Sequence, residues 1–156
     1  MIEMNIPGRG IFQIEYLVCD VNGTLATDGI LLPGMINAIK SIKDRVKVYL
    51  ITADTHGKQV TISNTLGIDG ILINKGQEAE QKGNFVTQLG ENKVIAIGQG
   101  ANDAEMLKKA AIGICVLSEE GTSIDALNSS DIVVQDGLHA IKLVQNPLRI
   151  VATMRR

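Results

Sequence analysis

Six short runs of apolar residues recur along the chain, and each run ends at a glycine or a polar residue. Apolar and polar positions do not alternate within the runs, a pattern typical of parallel strands that are covered by helices on both faces. The runs therefore predict buried strands. These predicted strands span residues 16–19, 46–51, 71–73, 94–97, 112–117 and 132–134.

The first fourteen residues follow a different pattern. Residues 2–6 alternate between apolar and polar side chains, residues 7–10 are rich in glycine and include a proline, and an apolar residue follows at Ile11. Alternation on both sides of a turn sequence is typical of a β-hairpin. We therefore expect an N-terminal hairpin that leads into the first buried strand.

Helical periodicity fills the segments between the apolar runs. Pro33 suits the first turn of a helix, and Met35, Ile39 and Ile42 form its apolar stripe. Regular alternation of strand and helix predicts a doubly wound, mainly parallel α/β sheet with helices on both faces, in which ligands bind beyond the carboxyl ends of the strands. The other predicted helices span residues 56–66, 79–89, 103–111, 122–127 and 138–144.

Composition narrows the functional classes. A chain of 156 residues fits one domain, residues 1–156, and the net charge of −2 leaves no basic surface for a nucleic acid. Neither a signal peptide nor an apolar run long enough to cross a membrane is found, so we expect a cytoplasmic protein without a membrane partner. Cys19 and Cys115 lie inside apolar runs and are expected to be inert buried thiols.

Polar residues follow two of the strands at the edge where a ligand is expected. Asp20 and Asn22 come directly after the first buried strand, where a carboxylate can attack phosphorus, although the same residues also make a good turn. Thr52 ends the second buried strand, where its hydroxyl group can hold a phosphoryl oxygen. Asp54 or Thr55 is expected to cap the helix that follows.

Two charged residues stand at the start of helical stripes that face the sheet. Lys82 lies three, four and seven positions before apolar residues of its helix, and Asp103 stands in the same relation to the next helix. A lysine in a buried first turn is unfavourable beside the positive end of the helix unless an anion lies nearby. For Asp103, capping the helix is the alternative role. Both residues are predicted to reach the edge where Asp20 and Thr52 lie.

These residues resemble the four motifs of the haloacid dehalogenase superfamily, in the same order. Residues 20–25 resemble the first motif, Thr52 and Lys82 match the second and third, and residues 98–104 resemble the fourth. The sequences of these motifs are similar to those of small soluble P-type ATPase-like hydrolases. The resemblance implies that Asp20 is a nucleophile, assisted by Thr52 and Lys82.

Two positions depart from the family pattern. Asn22 stands where many family members have an aspartate that serves as general acid and base, and an amide cannot exchange a proton near neutral pH. Gln99 stands where the family usually has a magnesium-binding aspartate. The resemblance therefore implies a weakly bound Mg²⁺, held by Asp20, Asn22 (through its backbone carbonyl), Gln99 and Asp103.

The spacing of the motifs leaves no room for a substrate cap. Only 27 residues separate Thr24 from Thr52, and a helix and a strand occupy most of them. An open site favours a phosphorylated macromolecule as substrate, or closure by a second copy of the chain in a homo-oligomer; a phosphorylated small molecule stays open as well. Two hypotheses follow from the sequence. The first is a weak Mg²⁺-assisted phosphatase, and the second is a catalytically silent phosphate-binding or protein-interaction module.

Overall fold

The structure is a computed structural model, and it describes residues 1–53 and 57–156. Strands and helices alternate along most of the chain, as the sequence predicts. The strands are β1 (Ile2–Ile6), β2 (Gly10–Ile14), β3 (Tyr16–Cys19), β4 (Ala26–Thr27), β5 (Ile30–Leu31), β6 (Lys47–Thr52), β7 (Asp69–Leu72), β8 (Val94–Gly98), β9 (Ile112–Val116) and β10 (Ile132–Val134). The α-helices are α1 (Met35–Lys40), α2 (Gln59–Leu66), α3 (Glu78–Leu89), α4 (Ala104–Lys109), α5 (Ile124–Asn128), α6 (Gly137–Gln145) and α7 (Pro147–Met154).

The six strands that the apolar runs predict form one parallel sheet in the order β10-β9-β8-β3-β6-β7. β3 lies at the centre, where Cys19 pairs with Leu50 of β6 and with Ile97 of β8. This register brings the carboxyl ends of the three central strands to the same edge. The doubly wound fold is therefore confirmed, and the predicted site residues of these strands lie side by side.

The prediction that every strand is covered on both faces is wrong for the two edges. β7 and β10 each have one neighbouring strand, and Leu72 and Val133 are 65% and 46% exposed. A short apolar run does not reveal whether a strand lies in the middle or at the edge of a sheet. The four inner strands are nearly all buried, as predicted.

Two hairpins lie outside the sheet. The predicted N-terminal hairpin is confirmed: β1 and β2 pair antiparallel, and the apolar side chains of β1 (Ile2, Met4 and Ile6) are buried. A smaller hairpin of β4 and β5, with Asp28 and Gly29 at its tip, was not predicted. Its two-residue strands are too short to show alternation. This second hairpin stands directly after the loop that carries Asp20.

Helix starts differ from the predicted ones. α1 begins at Met35 and not at Pro33, because Gly34 before it adopts a left-handed conformation that cannot belong to the helix. α3 begins at Glu78, so Lys82 lies one residue further inside its helix than expected. α7, which begins at Pro147, was not predicted and packs on the N-terminal hairpin.

The helices divide into two layers. α1, α2, α6 and α7 cover one face of the sheet together with the N-terminal hairpin, and α3, α4 and α5 cover the other. Both cores are built almost entirely of aliphatic side chains, in accordance with the low aromatic content. The two cysteines are free and buried as predicted, with Cys19 in the first core and Cys115 in the second.

The described residues contain no cap domain between β3 and β6 or between β6 and α3, where only the small hairpin, α1, α2 and β7 are found. Within residues 1–53 and 57–156, no helix is both long and apolar enough to cross a membrane.

Candidate active site

The loop that follows β3 is a tight turn that closes on its own backbone. The carbonyl oxygen of Val21 accepts hydrogen bonds from the backbone N–H groups of Thr24, Leu25 and Ala26, at 3.2, 3.0 and 3.0 Å. Asp20 is fixed to the sheet because its N–H donates to the carbonyl oxygen of Ile97 at 2.9 Å. The loop thus holds the Asp20 carboxylate at the edge of the sheet.

Glycines let two other elements approach this loop closely. A β-carbon at Gly137, at the start of α6, would overlap the backbone carbonyl of Thr24. Gly23 adopts a left-handed conformation (φ +79°), and a β-carbon there would overlap the Gln99 side chain. The loop is therefore packed between α6 and the turn that follows β8.

Asp20, Lys82 and Asp103 form the floor of the site. The Nζ atom of Lys82 lies 2.7 Å from Oδ1 of Asp20 and 2.6 Å from Oδ1 of Asp103. Lys82 and Asp103 are fully buried, and Asp20 is 6% exposed. The helical stripe points Lys82 at two carboxylates of the chain itself, and its contact with a bound phosphate stays a prediction.

The second oxygens of the two carboxylates are also bound. Oδ2 of Asp20 accepts from the Thr24 hydroxyl at 3.0 Å, while Oδ2 of Asp103 accepts from the N–H groups of Gln99 and Gly100, both at 2.9 Å. Asp103 precedes α4 but makes no side-chain hydrogen bond to that helix. Its carboxylate instead caps the short 3-10 helix Ala101–Asp103 that leads into α4, because it accepts from the N–H of Gly100. Asp103 therefore has the predicted capping role and also binds Lys82.

Two buried carboxylates share one ammonium group, so the floor carries an excess of negative charge. Burial, and next the Asp103 carboxylate, raise the pKa of Asp20 to about 6, even though Lys82 and Thr24 act to lower it. Burial lowers the pKa of Lys82, but the two carboxylates outweigh it and raise that pKa above its usual value. Lys82 is therefore a cation at neutral pH, and the floor favours a further positive charge.

A pocket of about 180 Å³ opens above the floor. Its described lining brings together four of the predicted residues (Asp20, Asn22, Thr52 and Gln99) with residues that were not predicted. Within this pocket the Asn22 amide donates to the Thr52 hydroxyl at 3.4 Å. The full described lining is Asp20, Asn22, Thr52, Ala53, Gln99, Asn102 and Glu120.

Comparison with known proteins identifies the family to which this arrangement of residues belongs. A sequence model of the haloacid dehalogenase-like hydrolases matches residues 7–111, two thirds of the chain. The chain belongs to the haloacid dehalogenase-like hydrolases. The resemblance seen in the four motifs is thereby confirmed.

The similar proteins include a soluble phosphatase-like protein, an uncharacterized protein and copper-transporting ATPases. It is 28% identical, over 124 residues, to a soluble P-type ATPase-like phosphatase of Methanocaldococcus jannaschii, covering 78% of this chain and 45% of that one. It is 49% identical, over 63 residues, to an uncharacterized protein of the same organism, covering 40% of this chain and 68% of that one. Copper-transporting ATPases also match, but the chain spans only 12 to 17% of their length.

A solved structure shares the fold at low sequence identity. It is the 3-deoxy-D-manno-octulosonate 8-phosphate phosphatase of Moraxella catarrhalis in complex with a magnesium ion, a phosphate ion and its sugar. The TM-score is 0.64 at 17% identity, and the alignment covers 91% of this chain and 94% of the other. Together, the family and its members support a general phosphatase function for this haloacid dehalogenase-like hydrolase.

The oxygen atoms at the pocket fit a hard cation, although only one of the groups is charged. Asp20, the backbone carbonyl of Asn22 and the side-chain oxygen of Gln99 are ligands of the kind that Mg²⁺ prefers. No group of three or more histidines, cysteines and acids capable of holding a metal lies within the described part of the chain. Such a site would bind Mg²⁺ weakly, because amide and carbonyl oxygens contribute no net charge.

Among the described residues that line the pocket, two polar ones were not predicted as site residues. Asn102 belongs to the fourth motif, and its amide donates to Oε2 of Glu78 at 3.0 Å. Glu120 lies in the loop after β9, outside all four motifs. Its position in the loop that follows a buried strand, four residues after Val116 and at the same edge of the sheet, is the signal that could have revealed it.

Some predicted residues lie elsewhere or outside the described ranges. The expected helix caps Asp54 and Thr55, together with the unassigned His56, fall in residues 54–56, which the structure does not describe. His139 lies on α6 beside Asp136, the residue that caps this helix, and does not line the pocket.

Proposed function

We propose that this chain is a phosphomonoester phosphatase that works with Mg²⁺ and through an aspartyl phosphate on Asp20. The observation that carries this proposal is the carboxylate of Asp20 at the bottom of an open pocket, held by Lys82 at 2.7 Å and Thr24 at 3.0 Å. A nucleophile fixed in this way loses little orientational freedom when it reacts. Asp103 positions Lys82 from behind.

In the first step an oxygen of Asp20 attacks the phosphorus atom, and the bond from phosphorus to the leaving-group oxygen breaks. The leaving group departs as an oxyanion and takes a proton from solvent. The ammonium group of Lys82 and the hydroxyl group of Thr52 stabilise the negative charge on the other phosphoryl oxygens. Because the pKa of Asp20 is about 6, its carboxylate is ionised at neutral pH. The floor thus supplies both the nucleophile and a cation.

Asp20, the carbonyl of Asn22 and the side chain of Gln99 are the residues that would hold Mg²⁺. The ion would neutralise the substrate's phosphate charge, which the negative floor otherwise repels. Asp103 as a further ligand stays a prediction, since its oxygens already accept three hydrogen bonds, from Lys82, Gln99 and Gly100. Binding through Asp103 would use the roughly one lone-pair site that remains on a carboxylate.

The substrate is a phosphate monoester whose remaining part stays outside the pocket. No cap domain covers the site within the described residues, and the pocket holds about 180 Å³, enough for a phosphoryl group and little more. A phosphorylated macromolecule suits such an open site. A phosphorylated small molecule suits it as well if a second copy of the chain covers the rim. The rim consists of the polar lining residues that are not fully buried, Asn22, Gln99, Asn102 and Glu120.

A silent phosphate-binding or protein-interaction module is the second candidate, and two amides favour it. Asn22 cannot transfer a proton, and Gln99 adds no charge to a metal site. A missing general acid or base lowers turnover by about 10²- to 10⁴-fold, which would leave the phosphoenzyme long-lived.

Acetyl phosphate and a panel of phosphate esters, each tried with and without Mg²⁺, test the proposal. We expect release of phosphate that depends on Mg²⁺ and an aspartyl phosphate at Asp20 detected by mass spectrometry. Asp20→Asn should abolish both, because a neutral amide is a very poor nucleophile. Asp44→Asn, an exposed aspartate outside the pocket, should change neither.

Activity that survives in carefully purified Asp20→Asn protein would overturn this mechanism. Absence of both a phosphoenzyme and turnover in the wild-type protein would favour the silent module.

A further inference from the structure

The loop between β9 and α5, residues 117–123, presents Glu120 to the pocket in a fixed conformation. The Thr122 hydroxyl donates to the carbonyl of Val116 at 2.9 Å and accepts from the N–H of Ser118 at 3.0 Å. The Ser118 side chain accepts in turn from the N–H of Glu120 at 3.1 Å. Side-chain hydrogen bonds of this kind build a loop whose shape does not depend on a bound ligand.

Two further hydrogen bonds attach this loop to the active-site elements. The N–H of Ser123 donates to the carbonyl oxygen of Gln99 at 2.9 Å, which joins the loop to the turn after β8. On the other side, Oε2 of Glu120 accepts from the N–H of Asp28, at the tip of the small hairpin, at 3.4 Å. The loop is therefore attached to the turn after β8 through Ser123 and to the small hairpin through Glu120.

The chemistry of the pocket lacks one function that Glu120 can supply. Of the described residues that line the pocket, only Asp20 and Glu120 carry a carboxylate. Asp20 is the nucleophile under the proposed function, and Asn22 and Gln99 are amides that cannot accept a proton near neutral pH. Hydrolysis of an aspartyl phosphate is faster when a base removes a proton from the attacking water.

We propose that Glu120 is the general base for hydrolysis of the aspartyl phosphate, an inference that rests on the proposed function. The oxygen of a water molecule attacks phosphorus, and the bond from phosphorus to the Asp20 oxygen breaks. One proton of the water passes to the Glu120 carboxylate and then to solvent. The products are inorganic phosphate and the free Asp20 carboxylate.

A role of Glu120 as a metal ligand is the main competing assignment. The described residues contain no group of three acids, histidines or cysteines close enough together to hold a metal, so Glu120 does not form a three-acid site with Asp20 and Asp103. Whether Glu120 binds Mg²⁺ beside Asp20 and the amide oxygens is decided by the calorimetric titration described below. A general base needs only to reach the water, and Glu120 lines the same pocket as the nucleophile Asp20.

The test separates formation of the phosphoenzyme from its breakdown. Protein loaded with acetyl phosphate and Mg²⁺ is passed over a desalting column, and the loss of phosphate from Asp20 is followed by mass spectrometry. In Glu120→Gln we expect breakdown to slow by about 10²-fold or more, with formation changed less than about threefold. The amide oxygen of the new side chain can still accept from Asp28, so the loop contact is retained.

Glu119→Gln is the matched control, because Glu119 has the same charge but lines a neighbouring pocket beside Ser118. It should break down at the wild-type rate. In a second variant, Glu120→Ala, added formate should restore part of the breakdown rate, since a small carboxylate can then occupy the space of the missing one. Formate should have no effect on Glu119→Ala.

The outcomes distinguish the two proposals. A wild-type protein that forms no phosphoenzyme and releases no phosphate overturns the proposed function and this inference together. A wild-type phosphoenzyme that decays at the same rate in Glu120→Gln overturns the assignment of Glu120 alone. Loss of Mg²⁺ affinity in Glu120→Gln, measured by calorimetry, would assign Glu120 to the metal and not to the water.

Discussion

The floor and the rim of the pocket differ in how their polar groups are held. On the floor, Asp20, Lys82 and Asp103 are buried and joined by charged contacts of 2.6 and 2.7 Å. On the rim, the side chains of Asn22 and Glu120 make contacts of 3.4 Å, and Glu120 is exposed. Short charge-assisted bonds in a dry site fix a geometry much more strongly than long, solvated ones.

This difference separates two tasks. The floor determines where phosphorus is attacked, and removal of Lys82 from it would leave two buried carboxylates without their cation. The rim determines what happens to the proton and to the metal, and its residues can be exchanged at little cost to the fold. The two departures from the family pattern, Asn22 and Gln99, both lie at the rim. We therefore expect changes to the floor to affect folding and activity together, whereas changes to the rim should affect activity alone.

The largest effect is expected from Lys82→Met. It leaves two buried carboxylates without their cation, so the free energy of unfolding should fall by about 3–5 kcal/mol at pH 7, and phosphoenzyme formation should be lost. Urea unfolding measures the first effect and mass spectrometry the second. The loss of stability should shrink toward pH 5, where the carboxylates take up protons. Lys108→Met, an exposed lysine on α4, is the control and should change stability by less than about 0.5 kcal/mol.

The next effect concerns the pH dependence of stability and the charge of Asp20. The pKa of Asp20 is raised from 3.8 to about 6, so the folded state disfavours the ionised form. The resulting loss of stability is absent below about pH 4, grows as the pH rises, and is complete above pH 6, where it amounts to as much as about 3 kcal/mol. In EDTA, Asp20→Asn should therefore be more stable than the wild type at pH 7 and similar to it at pH 4. Equal stabilities of the two proteins at both pH values would contradict a raised pKa of Asp20 in the folded state.

At the rim, Asn22→Asp should raise turnover tenfold or more, because it adds a group that can protonate the leaving group and activate water. Michaelis–Menten kinetics must separate kcat from KM, since a new carboxylate also repels the substrate phosphate. The double variant Asn22→Asp/Glu120→Gln sharpens the comparison. If both positions serve the same water, the added aspartate should restore the breakdown rate that the glutamine removes. No gain in kcat in either protein would argue against a proton-transfer function at position 22.

The smallest effect is expected for Gln99→Asp. A charged oxygen in place of an amide should tighten Mg²⁺ binding by up to about tenfold, or ~1.4 kcal/mol, in a calorimetric titration. The free energy of unfolding in EDTA should change little, because position 99 lies at the rim. Equal affinities in the two proteins would mean that the side chain at position 99 does not reach the ion.

Much of the floor could be predicted from the sequence, because its causes are periodic or local. Asp20 follows an apolar run directly, and Lys82 interrupts a helical stripe at a position where packing alone does not favour a lysine. Parallel strands then bring such residues to one edge of the sheet. The pairing of Lys82 with two carboxylates could not be predicted from the sequence, since it depends on how α3 docks against the turn after β8.

The rim was harder to predict because loops carry no periodicity. Glu120 and the small hairpin of β4 and β5 meet through a hydrogen bond between residues that are 92 positions apart. The edge positions of β7 and β10 were missed for a similar reason, since neighbours in a sheet are a property of the whole fold. Asn102 could have been predicted, because it lies inside the fourth motif, next to Asp103.

The two buried cysteines offer a way to time the opening of each layer of the molecule. Cys19 lies beneath the first helix layer, one residue before the nucleophile, and Cys115 lies beneath the second. Burial raises the pKa of both thiols, that of Cys115 to about 11, so a thiol reagent reacts with either only when the covering helices move away. The unmodified chain thus carries one reactive group on each side of its sheet. The ratio of the two labelling rates measures which helix layer opens more readily.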